Sequence, residues 1–167
     1  MPRKKTLAGL ILFVVLGASP LPLVADKPTP YGAPIGLAAA KKIMAAAESK
    51  AVESEWAVAI AIVDSGGNLV LFQRLDNTQL GSIEIAQLKA LTAVNFRRPT
   101  KDWEERIAKG GVDLKLLKLN GFPMEGGLPI VHDGEVIGAI GVSGVTSTQD
   151  AEIGTAGIEA LTESDES

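Results

Sequence analysis

Two pairs of apolar runs, each broken by a short glycine-bearing turn, constrain the fold of this chain more than any other feature. Trp56 to Val63, nearly continuous and rich in branched side chains, is separated from Leu69 to Arg74 by Asp64-Ser65-Gly66-Gly67-Asn68. Downstream, Leu128 to Val131 is separated from Glu135 to Val142 by a turn centred on Asp133-Gly134. Short apolar runs joined by residues that tolerate positive φ form antiparallel hairpins. Asp64 is placed to brace the first turn through its side chain, and Gly138 and Gly141 mark points where another backbone or a ligand comes close.

The segments between the hairpins carry a helical period. Leu37, Ala40, Ile43, Met44, Ala47 and Val52 recur at three- and four-residue steps, which predicts an amphipathic helix from Gly36 to Glu53. Ile83, Ala86, Ala90, Ala93 and Val94 predict a second over Ser82 to Phe96, with Ser82 as its N-cap and Arg97 and Arg98 near its negative pole. Thr100 is expected to cap a short third helix that Gly110-Gly111 stops, and Val112 to Leu119 reads as another short helix. The final helix follows Ser143 to Thr148, capped by Ser147 or Thr148 with Asp150 and Glu152 in its first turn. The order helix, hairpin, helices, hairpin, helix predicts an α+β domain: an antiparallel sheet of about five strands flanked by helices, without βαβ crossovers.

The ends read differently. Arg3, Lys4 and Lys5 precede the apolar run Leu7 to Ala18, then Pro20, Pro22 and Ala25, the order of a secretory signal peptide. That run of about 12 residues is shorter than the roughly 20 that span a bilayer as a helix. Cleavage is expected near Ala25, with cleavage after Ala18 or retention as an uncleaved anchor as the alternatives, and an exported, periplasmic or extracellular location follows. Removing residues 1–25 takes three of the 16 basic side chains and none of the 20 acidic ones, leaving a charge of -7. Residues 26–35, with Pro28, Pro30 and Pro34, form an extended lead-in; residues 36–161 form the domain; residues 162–167 form an acidic tail.

Composition removes much chemistry. With no Cys there is no disulfide framework, thiolate metal site or cysteine nucleophile, and a single His cannot build a multi-histidine centre. An acidic chain in which Phe, Trp and Tyr make up 4% lacks the basic, ring-studded face of a nucleic-acid binder. His132, beside the second turn, reads as an exposed turn residue or as the candidate metal or haem-iron ligand. Asp64, Asp76, Asp133 and Asp150 lie at element ends, where carboxylates brace turns and cap helices or act in proton transfer. Lys89 lies near the small-residue face of the second helix, so it meets a ligand carboxylate, pairs with an Asp or Glu, or snorkels at the helix boundary.

The ordered set Val63-Asp64-Ser65-Gly66-Gly67-Asn68-Leu69, Phe72-Gln73-Arg74-Leu75-Asp76, Ile85-Ala86 with Lys89-Ala90, Gly126-Gly127-Leu128-Pro129-Ile130, Asp133 to Gly144 and Gln149-Asp150 resembles the GlcG/HbpS haem-binding-like family, which includes the C-terminal domain of the PduO corrinoid adenosyltransferases. The resemblance spans residues 36–161. It implies a profilin-like α+β domain, assembly into a homo-oligomer, and binding of haem or another tetrapyrrole for scavenging, buffering or sensing. The ligand-binding candidates are Arg74, Asp76, Lys89, Gly126, Gly127, Ser143 and Gly144. No histidine lies in the first helix, so haem would sit in an apolar groove with its propionates on Lys89 or an Arg, and its iron would be held by His132 or by no protein ligand. Two other readings stand beside this one: an enzyme that acts on a small organic acid through Lys89 or an Asp, and an accessory subunit with a periplasmic or membrane redox or sensor partner.

Overall fold

The computed structural model describes residues 27–163, with side chains through Leu161. The expected signal peptide and the last four residues of the acidic tail lie outside the described residues. The elements are α1 (Leu37–Glu53), β1 (Ala59–Asp64), β2 (Leu69–Arg74), α2 (Ser82–Phe96), α3 (Lys101–Ala108), a 3₁₀ segment (Gly111–Lys118), β3 (Gly127–His132), β4 (Glu135–Ser143) and α4 (Ser147–Glu163). All strand pairs are antiparallel, in the order β2-β1-β4-β3.

The alternation of side chains along β1 explains the layering. Val58, Ile60 and Ile62 point to one face, where they meet Ile140 and Val142 of β4 and the buried residues of α1 and α4. Ala59, Ala61 and Val63 point to the other, where they meet Ala86, Ala90, Ala93 and Val94 of α2. The sheet is therefore a middle layer, with bulky aliphatics on the α1/α4 side and small residues on the α2 side. A Cβ on Gly141 would overlap the Ala86 carbonyl and stand 2.5 Å from the Ala90 amide, so α2 lies against β4 backbone to backbone. This close seat places Lys89, between those alanines, inside the protein.

Four strands, not about five, form the sheet among the described residues. The lead-in runs beside β4 beyond the last β1 pair, Asp64↔Gly138, and Tyr31 makes a single parallel bridge to Val136. Gly32 donates to the Val136 carbonyl at 3.0 Å, and the Val136 amide donates to the Pro30 carbonyl at 2.8 Å. Pro28, Pro30 and Pro34 lack the N–H groups that a longer ladder needs. The Tyr31 hydroxyl lies 2.8 Å from the Val94 carbonyl, and Arg97, the left-handed residue that ends α2, stacks over its ring at 4.9 Å.

Several helix ends differ from expectation. Gly81, not Ser82, is the N-cap of α2; Ser82 is the first helical residue, fully buried, and its hydroxyl accepts from Gln79. Thr100 does occupy the N-cap of α3, but its hydroxyl accepts from the Gly127 amide at 3.0 Å and so ties α3 to β3. Thr146, rather than Ser147 or Thr148, caps α4: its amide donates to Gln149 Oε1 and the Gln149 amide donates to its hydroxyl, a reciprocal capping box. The short helix expected over Val112 to Leu119 is present as the 3₁₀ segment Gly111–Lys118.

Candidate functional site

Five of the seven expected ligand-binding residues converge at the buried end of β4. Lys89 is fully buried; its Nζ donates to Asp150 Oδ2 at 2.7 Å and to the Val142 carbonyl at 3.0 Å. Asp150, 2% exposed in the first turn of α4, also accepts from the Val145 amide at 3.2 Å. Burial pushes its carboxyl above the ordinary carboxylate value, against the Lys89 ammonium and the Val145 and Gly144 amides. Gly126 adopts a φ of 117°, and a Cβ there would stand 2.7 Å from Lys89 Nζ and 2.9 Å from the Val142 carbonyl oxygen. Gly127 packs on the Lys89 backbone, and the Ser143 hydroxyl donates to that of Ser82 at 3.1 Å.

This cluster joins α2, β4 and α4 through an ion pair closed to solvent. The ammonium faces Asp150, so of the alternatives for Lys89 the structure realises pairing with an aspartate. Removing one member of such a pair leaves a buried charge, which destabilises a fold by about 3–5 kcal/mol. Asp150 is absent from the expected ligand set although it belongs to the Gln149-Asp150 motif. Its signal is a first-turn aspartate following Ser147-Thr148-Gln149, which reads equally well as a helix-dipole partner.

Arg74 and Asp76 lie elsewhere. Both are exposed where β2 ends, and they line a groove of about 540 Å³ whose apolar wall is Val52, Trp56 and Leu75. Neither Lys89 nor Gly126, Gly127, Ser143 or Gly144 lines it. Lys50 Nζ sits 5.6 Å from the Trp56 ring centroid and holds the indole from the α1 side. Glu48 and Glu55 complete an acidic rim, so Arg74 is the cation among the groove's lining residues. Trp56 escapes a reading from the sequence because it extends the apolar run of β1; the strand starts at Ala59, and Trp56 is left at the turn after α1.

His132 ends β3 with its side chain 43% exposed and Nε2 3.5 Å from Asp133 Oδ2. Among the described residues no group of three or more His, Asp or Glu side chains is arranged to hold a metal ion. Met44 is core and Met124 is an exposed loop residue. The first turn behaves as expected: Asp64 Oδ1 accepts from the Gly66 and Asn68 amides at 2.9 and 2.8 Å. Partial burial pushes the Asp64 carboxyl up, but the amides and the Asn68 side chain outweigh it and hold the group below the ordinary 3.8.

The family model described as "Haem degrading protein HbpS-like" matches residues 35–159. The chain belongs to the HbpS-like family. It is 40% identical over 104 residues to protein GlcG of Escherichia coli K12, covering 62% of this chain and 77% of that protein. The ORFY protein of Klebsiella pneumoniae has the same fold, with a TM-score of 0.74, 32% identity, and coverage of 83% of this chain and 97% of that one. A crystal structure described as the PduOC:heme complex superposes with a TM-score of 0.71 at 28% identity, covering 76% of this chain and 94% of that one. The family match runs from the end of the lead-in through most of α4.

Proposed function

We propose that this chain is an exported, oligomeric binding protein whose ligand is haem or another tetrapyrrole, held for scavenging, buffering or sensing. The observation that carries the reading is the groove of about 540 Å³ that sets Val52, Trp56 and Leu75 against Arg74. A tetrapyrrole presents a flat apolar face and acidic side arms. An indole and two aliphatic side chains suit the face, and an exposed guanidinium suits a carboxylate. The name of the matching family and the PduOC:heme structure support the same ligand class.

The fit has a defined limit. His132, Met44 and Met124 do not line the groove, so a ligand there is held through its ring faces and Arg74 rather than through its metal. Asp76, beside Arg74, and the acids of the rim favour a ligand that enters with only one edge charged. The buried Lys89–Asp150 pair has a structural role in this account, which removes the proton carrier that an organic-acid enzyme would need there.

Haemin titrated into the chain lacking residues 1–25 is expected to give a saturable, stoichiometric Soret shift. Arg74→Gln is expected to weaken binding by about tenfold, the scale of one charge-assisted contact. Non-saturating association, identical in wild type and variant, would end this reading. Export is checked by the mass of the protein recovered outside the cytoplasm, which should begin at Asp26.

A further inference from the structure

The 3₁₀ segment is an anomaly on this surface. With three residues per turn, its side chains form three straight ridges. Asp113 and Leu116 form the inner ridge: Leu116 is 8% exposed, and Asp113 is held by Arg106 at 2.8 Å. That leaves Leu114 and Leu117 outward on a second ridge, 49% and 61% exposed, and Val112, Lys115 and Lys118 outward on the third. Leu119 continues the apolar surface at 45% exposed, and Lys109 adds a further cation at its edge. A cluster of large aliphatic side chains rimmed by lysines, on a chain whose overall charge is -4, is a contact surface rather than a solvated one.

The same molecule carries a complement. Along the outer side of α4, Ala151, Thr155 and Ala156 floor a shallow shelf of about 470 Å³. Glu152 and Glu159 rise from it, and Glu125 stands at one end beside Thr148. Small floor residues accept projecting leucines, and the glutamates match the lysines of the 3₁₀ segment. Lys50 also lines the shelf, one cation against the three glutamates, so the shelf is acidic on balance.

We propose that the Leu114–Leu117 ridge of one copy of this chain seats on the Ala151–Thr155 shelf of another, with Lys115 and Lys118 facing Glu152 and Glu159. The proposal rests on the oligomeric reading above and names the surfaces that build it. A second copy satisfies both the apolar and the charged requirement. An anionic lipid surface satisfies only the patch and meets repulsion from the rest of an acidic chain.

The test is sedimentation velocity of the chain lacking residues 1–25. Wild type is expected to sediment as a multimer, and Leu117→Asp to release monomer with an unchanged circular dichroism spectrum, because Leu117 is exposed in the isolated fold. Lys115→Glu with Lys118→Glu should weaken association by about tenfold or more, and adding Glu152→Lys with Glu159→Lys should restore it. A monomeric wild type, a Leu117→Asp protein of unchanged mass, or a charge reversal that fails to rescue would each overturn the proposal. So would flotation of a monomeric wild type with phosphatidylglycerol vesicles, which would assign the patch to a lipid surface. Haemin binding measured on the same samples separates the two readings: its loss with assembly intact counts against the groove alone.

Discussion

Replacing Lys89 with methionine keeps the length of the side chain and removes its charge, which makes it the sharpest probe of how this fold is joined. The wild-type ammonium is fully buried, 2.7 Å from Asp150 Oδ2 and 3.0 Å from the Val142 carbonyl oxygen. After the change, Asp150 keeps its amide contacts but lies buried without a cation. The expected loss is about 3–5 kcal/mol, against about 1 kcal/mol or less for an exposed pair. For a domain of this size that lowers the melting temperature by roughly 10–15 °C. The pH dependence has a definite sign. Burial already holds the Asp150 carboxyl above 3.8, and Lys89 opposes that rise, so the variant's carboxyl goes higher still. A group whose folded value is raised contributes stability at low pH and loses it as pH rises through that value. The Lys89→Met deficit should therefore be smallest in acid and grow toward neutrality, and Lys89→Met combined with Asp150→Asn should recover much of it. Urea denaturation followed by Trp56 and Trp103 fluorescence at mildly acid and neutral pH measures each quantity. A loss under about 1 kcal/mol, or one of equal size at both pH values, would refute the reasoning.

Other outcomes follow from the same geometry. Gly141→Ala drives a methyl into the Ala86 carbonyl and the Ala90 amide, so α2 must lift from the sheet; the expected destabilisation is about 1–3 kcal/mol by urea denaturation, and a neutral result would mean that α2 is not seated as described. The Asp64 carboxyl carbon, followed by NMR, should titrate with a midpoint below 3.8, and Asn68→Ala should move that midpoint upward. Because its folded value is depressed, the stability that Asp64 contributes is present above 3.8 and is lost as pH falls through the folded value.

Much of this architecture is legible in the sequence because it is written in local signals. β2 and α2 run over Leu69–Arg74 and Ser82–Phe96 as the apolar patterns predict, and Asp64 binds the turn amides that its position anticipates. The two hairpins and their intervening helices fix an antiparallel α+β fold before any tertiary contact is known. What stays hidden depends on distance along the chain. Lys89 stands near small neighbours, which leaves pairing and snorkelling equally open, because its partner lies 61 residues away and a first-turn Asp150 reads as a helix cap until α4 is placed on the sheet. Ser82 has the chemistry of an N-cap, yet its hydroxyl turns inward to Ser143 because that end of α2 lies against β4.

The candidate site shows the same division. Arg74 and Asp76 are picked out by their place at the end of a hairpin, and Lys89 with the glycines by their motifs, which suggests a single pocket. The sheet separates them into an exposed groove and a closed ion pair. The apolar wall of the groove comes from Val52 and Trp56 at the end of α1 and from Leu75 beyond β2, and no sequence period links these positions.

The central claim is that the groove beside Trp56 binds a tetrapyrrole. Haemin titrated into wild type, Trp56→Ala and Arg74→Gln, with absorption read at the Soret band, tests it most directly. The account predicts stoichiometric, saturable binding in wild type, weakened by about tenfold or more in each variant while both stay folded. Saturable binding of equal strength in all three proteins would place the ligand elsewhere and contradict it.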